Sequence, residues 1–111
     1  MHELGITRNI VAIVSDAAKG RRVKRITVDI GDLSGILADS VAFCFDVVAK
    51  GTVLDGAALE IRRVKGRAAC RDCGTEFATS ALHQPCACGS RNLARLAGEE
   101  LKIRDMELEA A

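Results

Sequence analysis

The chain lacks tryptophan and tyrosine, and three phenylalanines supply its whole aromatic content, 3% of 111 residues. Sites that bind single-stranded nucleic acid stack bases on aromatic rings, and cages for quaternary ammonium groups are built from the same rings. The shortage of aromatic residues argues against both kinds of site. Hydrophobic residues still make up 49% of the chain, so the sequence predicts a core that is aliphatic.

An excess of one charge and a long hydrophobic run are also missing. The chain has 16 Lys and Arg residues against 15 Asp and Glu residues, a net charge of +1, so no broad field favours nucleic acid or a membrane as a partner. No apolar run approaches the roughly 20 residues that a membrane-spanning helix needs. Glu3 and Asp16 lie inside the first apolar pattern, which is not typical of a secretory signal. We therefore expect a cytoplasmic protein, whose thiols stay reduced.

The sequence contains none of the patterns that carry catalysis. It has no nucleophile placed beside a base, no glycine-rich phosphate loop and no pair of carboxylates at a spacing typical of acid and base catalysis. The sequence therefore predicts that the protein is not an enzyme.

Two segments have the three- and four-residue apolar spacing of a helix with one buried face. The first runs from Leu4 to Ala18 and ends at Gly20, because glycine suits a helix end. The second is expected to have Asp39 as its N-cap and to end at Gly51. The predicted apolar faces are Leu4, Ile6, Ile10, Val11, Ile13, Val14, Ala17 and Ala18 in the first helix, and Val41, Ala42, Phe45, Val48 and Ala49 in the second.

Three segments alternate with the two-residue period of a half-buried strand. In the last of them the apolar phase changes between Ile103 and Met106, and in the second it changes between Ile61 and Val64. We expect these two strands to lie side by side, with a bulge or strong twist where both change phase. The predicted strands are Arg25–Ile30, Ala58–Lys65 and Glu99–Leu108.

The order of these elements predicts the architecture. A segment poor in apolar periodicity and rich in Cys, Gly and Arg separates the second strand from the third, and it could hardly fold unaided. Because the last strand returns to the first lobe, this segment is an insertion. The predicted fold class is α+β, a small mixed three-stranded sheet with two helices, plus an inserted zinc-ribbon-like lobe. The predicted boundaries are 1–66 and 99–111 for the first lobe and 67–98 for the inserted lobe.

Four of the five cysteines form two close pairs in the inserted lobe. Cys70 and Cys73 make a CxxC pair followed by Gly74, a spacing at which both sulfurs reach one ion while glycine permits a tight turn. After 12 intervening residues come Cys86 and Cys88, a CxC pair that can chelate from an extended segment. The sequence therefore predicts one structural zinc ion held by four thiolates, which leaves no open position for a substrate.

The residues around these pairs are given more ordinary roles. We expect Cys44 to lie in the core of the second helix and His83 to lie at the surface rather than at the zinc. The arginines of the inserted lobe are expected to neutralise the anionic thiolate cluster. They are Arg67, Arg71, Arg91 and Arg95.

Two other functions use similar features. An electron-transfer iron site of rubredoxin type also uses four thiolates, and a visible absorption spectrum would distinguish it from zinc. The main alternative is a zinc-ribbon interaction module that binds nucleic acid or protein. Its best support is the segment Lys19–Arg25, with five basic residues in seven. That segment straddles a helix end and a strand start, where the helix dipole and solvated faces already account for basic residues.

The chain begins Met1-His2-Glu3. His2 can offer its imidazole together with its own backbone nitrogen and the neighbouring terminal amine. Nitrogen donors of this kind close small chelate rings, and such donor sets suit Ni(II) and Cu(II). A lone histidine near a terminus is usually just solvated, so the tripeptide alone is a weak signal.

Over essentially its whole length, the sequence resembles the hydrogenase-maturation nickel metallochaperones of the HypA/HybF type. The matching stretches, in the same order, are MHELGI, GDLSGI, VVAKGT, the CxxCG knuckle, and CGSRNL followed by GEELKIRDMEL. The family's commoner second cysteine pair is CPxC, whereas this chain has PCxC.

The resemblance implies a two-lobed protein that carries Ni²⁺ as cargo and helps to insert it into the large subunit of a nickel–iron hydrogenase. A GTP-hydrolysing nickel maturation protein is the implied second partner. The resemblance makes His2 the nickel ligand, with Glu3 contributing its backbone nitrogen or its carboxylate. It makes Cys70, Cys73, Cys86 and Cys88 the ligands of a structural Zn²⁺.

Overall fold

The computed structural model describes residues 2–110. This part of the chain forms two helices and two three-stranded sheets, a mixed α+β fold that confirms the predicted fold class. The helices are α1 (His2–Ala18) and α2 (Ala38–Val48). The strands are β1 (Val23–Gly31), β2 (Ala58–Val64), β3 (Gly66–Cys70), β4 (Glu76–Thr79), β5 (Leu93–Ala97) and β6 (Leu101–Leu108).

The first sheet has β1 at its centre, parallel to β2 and antiparallel to β6. The prediction that the last strand lies beside the second was therefore wrong. The phase change in β6 is a bulge against β1, because Thr27 faces Asp105 while the next residue, Val28, faces Ile103. The central strand is the most completely buried of the three, and it pairs with a strand at each of its edges.

The core lies between the first sheet and the two helices, and it is aliphatic as predicted. Ile26, Val28 and Ile30 of β1 have no exposed surface. The face of α1 that packs against these residues differs in part from the predicted apolar face. Ile13 is 58% exposed, and the polar Thr7 is fully buried. Thr7 is accommodated because its hydroxyl donates a hydrogen bond to the Glu3 carbonyl at 2.5 Å.

The N-terminus of α2 is held by a residue from another helix. Asp39 was expected to be the N-cap, but the cap residue is Leu37, which makes no side-chain capping bond, and Asp39 lies in the first turn. The Leu37 N–H instead donates to the Glu3 carboxylate at 3.2 Å. The prediction of Asp39 as the N-cap was wrong because the Glu3 carboxylate of α1 provides the acceptor that a capping side chain would provide.

The face of the first sheet opposite the helices is polar. Thr27 and Asp29 are the polar residues of the two-residue alternation in β1, yet they are only 8% and 5% exposed. The Asp29 carboxylate lies 3.2 Å from the Arg104 guanidinium of β6 and 3.7 Å from that of Arg62 on β2. The long arginine side chains of the two edge strands therefore cover the central strand and compensate the buried charge.

The second sheet lies in the inserted segment, with β3 between β4 and β5 and both pairings antiparallel. These three strands were not predicted. In β3 the buried positions are Gly66, Ala68 and Cys70, which alternate correctly but carry too little apolar surface to give a recognisable strand pattern. The alternation of buried and exposed residues that is typical of a strand was therefore present, but the buried residues were too small to make the pattern recognisable.

The two sheets meet where the chain crosses itself near three glycines. The Gly31 N–H donates to the Glu100 carbonyl at 2.8 Å, and the Leu33 N–H donates to the Gly98 carbonyl at 2.7 Å. A Cβ on Gly31 would lie 2.0 Å from the Gly98 carbonyl oxygen, and one on Gly66 would lie 2.3 Å from the Thr79 carbonyl oxygen. Only residues without a side chain permit so close an approach of two backbones.

We expect Gly31→Ala to lower the free energy of unfolding by about 1–3 kcal/mol, because backbone atoms must move apart to admit the methyl group. Urea denaturation of the purified protein measures this. Gly5→Ala in α1 is the matched control, since no atom lies within 4 Å of the added Cβ and alanine favours a helix. Equal urea midpoints for Gly31→Ala and the unchanged protein would contradict the close approach.

Candidate metal sites

The structure brings together the four cysteines that the spacing selected. The Sγ atoms of Cys70, Cys73, Cys86 and Cys88 all lie within 4.8 Å of one another. Cys70 and Cys88 are separated by 3.7 Å between sulfurs, and Cys73 and Cys86 by 3.6 Å. A tetrahedral zinc ion with Zn–S bonds of about 2.3 Å sets its sulfurs about 3.8 Å apart. The cluster therefore has the size that one tetrahedral zinc ion requires.

Two tight turns place these sulfurs. In the first, the Gly74 N–H donates to the Cys70 carbonyl at 2.8 Å, and Gly74 has a φ of 80°. In the second, the Gly89 N–H donates to the Cys86 carbonyl at 2.8 Å. The CxC pair was expected to chelate from an extended segment, but it lies in this turn, which bends both sulfurs toward the first pair.

The surroundings of the sulfurs give the thiols different pKa values. The hydroxyl of Thr75, 3.2 Å from the Cys73 sulfur, and the Thr75 backbone lower the pKa of the Cys73 thiol to about 6. A hydrogen bond from the Ser90 backbone favours the Cys88 thiolate, but the neighbouring sulfurs of Cys86 and Cys70 raise the pKa of Cys88 to about 12. Four thiolates this close repel one another, so full ionisation of the cluster calls for a cation at its centre.

The arginines of the inserted lobe do not have the role expected for them. Their hydrogen bonds and ion pairs go to carboxylates, carbonyls and an amide rather than to the sulfurs. Arg67 pairs with Glu76 at 3.5 Å, Arg71 donates to the Leu93 carbonyl at 2.9 Å and to the Asn92 side chain, Arg91 donates to the His83 carbonyl at 3.2 Å, and Arg95 pairs with Glu99 at 2.5 Å. They stabilise the strands and loops around the cluster.

Cys44 and His83 both stay outside the cluster. Cys44 is half-buried on α2, more accessible than the core position expected for it, and it lines a shallow surface depression with Leu4 and Phe43. His83 is exposed, as expected.

At the other end of the protein, His2 is the first residue of α1 and is exposed. Its neighbours across a shallow depression are Ser34 and Ile36 from the loop after β1. Met1, whose amine was considered as a donor, lies outside the described residues. Within residues 2–110 the four cysteines are the one group of three or more metal-binding side chains brought together, so His2 is not part of such a group.

Glu3 lies beside His2 but is buried, with 8% of its surface exposed. The hydrogen bond from the Leu37 backbone is the main reason that the pKa of the Glu3 carboxyl lies below its usual value. The charged carboxylate therefore joins the first turn of α1 to the start of α2. This role could not be seen in the sequence, because the two residues are 34 positions apart.

The basic segment that supported a nucleic-acid reading is largely engaged within the protein. Arg22 donates to the Asp55 carbonyl, and Arg21 donates to the Glu109 carbonyl at 2.9 Å. Lys24 and Arg25 both pair with Glu107, at 3.7 Å and 2.6 Å. These contacts tie the start of β1 to its neighbours, and they compensate the charges of Lys24 and Arg25, whereas Arg21 and Arg22 keep theirs.

None of the helices in the described part of the chain is long and apolar enough to cross a membrane.

The structure has a four-sulfur cluster beside the second sheet and an exposed imidazole at the start of α1, which packs on the first sheet. These features are typical of proteins that handle metal ions. Comparison with known proteins identifies the particular kind. Residues 1–108 match the family model described as "Hydrogenase/urease nickel incorporation, metallochaperone, hypA". The chain belongs to this family of nickel metallochaperones, which are maturation factors and not enzymes.

Two relatives and two solved structures illustrate the similarity. The chain is 57% identical to the hydrogenase maturation factor HypA of Rippkaea orientalis and 56% identical to that of Nostoc sp., in each case over 98% of this chain and 96% of the relative. A solution structure of a HypA protein superposes with a TM-score of 0.73 and 26% identity, covering 100% of this chain and 98% of that one. The solution structure of the nickel metallochaperone HypA from Helicobacter pylori shares the fold, with a TM-score of 0.67, 24% identity and 98% of both chains covered.

Proposed function

We propose that this protein binds Ni²⁺ at its N-terminus through His2 and helps to insert it into the large subunit of a nickel–iron hydrogenase. The observation that carries the proposal is the exposed imidazole at the first residue of α1, in a chain that belongs to a nickel metallochaperone family. Its partners in this reading are that large subunit and a GTP-hydrolysing nickel maturation protein. We infer the cytoplasm as the compartment, because the cluster needs reduced thiols.

Glu3 contributes to the nickel site through its backbone nitrogen in this proposal, and its carboxylate has a different task. That carboxylate is buried and already accepts the hydrogen bond from Leu37, so turning it toward an ion would break the contact with α2. The imidazole of His2 and backbone nitrogens then form the kind of nitrogen-rich donor set that suits Ni(II). An open site at the end of a helix also suits an ion that must leave again.

The inserted lobe holds a structural Zn²⁺ in this proposal, with Cys70, Cys73, Cys86 and Cys88 as its ligands. The sulfur separations support zinc, and four thiolates leave no position for a substrate or a transferable water. Residues 67–98 then form the zinc-binding lobe, while residues 1–66 and 99–111 form the nickel-binding lobe. The boundaries fall at Gly66 and Gly98, where the two sheets meet.

We expect His2→Ala to abolish nickel binding, because it removes the one imidazole at the start of α1. Calorimetric titration with Ni²⁺ measures this, and zinc content and thermal unfolding serve as controls that should not change. His83→Ala is the matched variant, since His83 is the other histidine of the chain and is also exposed. Nickel affinity that survives in His2→Ala and is lost in His83→Ala would show that the nickel site is at His83 and not at His2. In cells, His2→Ala should fail to restore hydrogenase activity to a strain without the chaperone.

We expect Cys73→Ala to lose zinc during dialysis and to unfold the inserted lobe, because a structural zinc site of this type supplies about 10–16 kcal/mol of apparent binding free energy. Metal analysis and amide hydrogen exchange of residues in β3–β5 provide the measurements. Cys44→Ala should retain one zinc ion per chain. Loss of zinc from Cys44→Ala would show that the ligand set is wrong.

Zinc affinity should fall as pH falls, because the lobe is unfolded without its ion and the cysteine thiols must release protons to bind it. Competition with a chromophoric chelator at several pH values measures the number of protons released. Zinc affinity that does not change with pH would contradict a site made of thiolates.

A further inference from the structure

A third binding site is suggested by a cavity of about 410 Å³ where the two sheets meet. Its floor is formed by buried residues, with Leu33 from the first lobe, Ala68 of β3 and Thr79 of β4 only 5%, 2% and 9% exposed. Pockets that hold small ligands or peptide side chains have volumes of about 300–1,000 Å³ and combine apolar walls with a few polar groups. The cavity therefore has the size and the floor of a ligand site.

The rim of the cavity is cationic. Arg91 and Arg95 line it together with His83 and Glu99. Glu99 pairs with Arg95 at 2.5 Å, so this positive charge is already compensated. Arg91 has a single hydrogen bond, from its guanidinium to the His83 carbonyl at 3.2 Å, and it has no carboxylate partner within the described residues. One positive charge with several unused N–H donors thus remains at the mouth.

This combination favours a monoanion. The guanidinium fork of Arg91 matches the planar shape of a carboxylate, which it can bind through two parallel hydrogen bonds. A phosphate carries more negative charge and would meet Glu99 on the same rim. A metal ion is disfavoured, because two guanidiniums lie beside the histidine. The apolar floor selects a ligand whose carboxylate is attached to an aliphatic group.

We propose that this cavity binds a carboxylate attached to a short aliphatic group, with the carboxylate on Arg91 and the aliphatic part on Leu33 and Leu93. The carboxylate can belong to an acidic side chain or chain end of a partner protein or to a small organic acid. This site is separate from both metal sites, so its occupant does not ligate either ion.

An NMR titration of the full-length, zinc-loaded protein tests the proposal, with the methyl groups of its leucines labelled. The probes are the blocked peptide acetyl-Leu-Glu-Leu-amide, its Gln analogue, butyrate and inorganic phosphate. We expect the Glu peptide to shift the methyl signals of Leu33 and Leu93 and to bind about tenfold more tightly than the Gln analogue. Tighter binding of the peptide than of butyrate would identify a protein segment as the source, and the reverse order a small acid.

Arg91→Gln should weaken binding of the Glu peptide by about tenfold and leave binding of the Gln analogue unchanged. Arg67→Gln is the matched control, because Arg67 is also exposed but pairs with Glu76 and does not line the cavity. Comparing the two peptides on the unchanged protein needs no mutation, so a folding defect in a variant cannot hide the result. Equal affinity for both peptides, tighter binding of phosphate, or no shift at the two leucines would overturn the proposal.

Discussion

The close approach of two backbones at Gly31 and Gly98 determines how the rest of the molecule is arranged. The chain leaves the first lobe after β2, forms the second sheet, and returns beside β1, and the returning segment is held by hydrogen bonds from Gly31 to Glu100 and from Leu33 to Gly98. Because no side chain separates these backbones, the inserted lobe begins and ends at one fixed place. The side chain of Leu33 then packs against Gly66 and Gly98 and is 5% exposed.

The same segment continues to the proposed nickel site. Ser34 closes the turn, since its hydroxyl donates to the Gly31 carbonyl at 2.7 Å and accepts from the Ile36 N–H at 3.1 Å. One residue further, Leu37 donates to the Glu3 carboxylate. Residues 31–37 therefore contact the second sheet at one end and the first turn of α1 at the other. The stretch GDLSGI is thus a structural connection between the lobes.

The sequence predicted those parts of the fold that depend on strong local patterns. Both helices and all three strands of the first sheet follow from apolar spacing, and the four clustered cysteines follow from pair spacing. The partner of β6 and the contact between Glu3 and Leu37 were missed because they depend on residues far apart in the chain. The three strands of the second sheet were missed because Gly, Ala and Cys give β3 an alternation without much hydrophobicity.

The two proposed metal sites differ in the way their tasks require. The cysteine cluster is built from two turns, with Cys70 and Cys86 buried and Cys73 and Cys88 exposed, and a metal ion there would have a sulfur at each corner of its tetrahedron. His2 is exposed at the start of a helix whose first turn is already fixed by Glu3, so an ion could bind or leave without unfolding any element. A retained ion and a transferred ion can coexist in one small chain because only the first is part of the structure that holds the chain together.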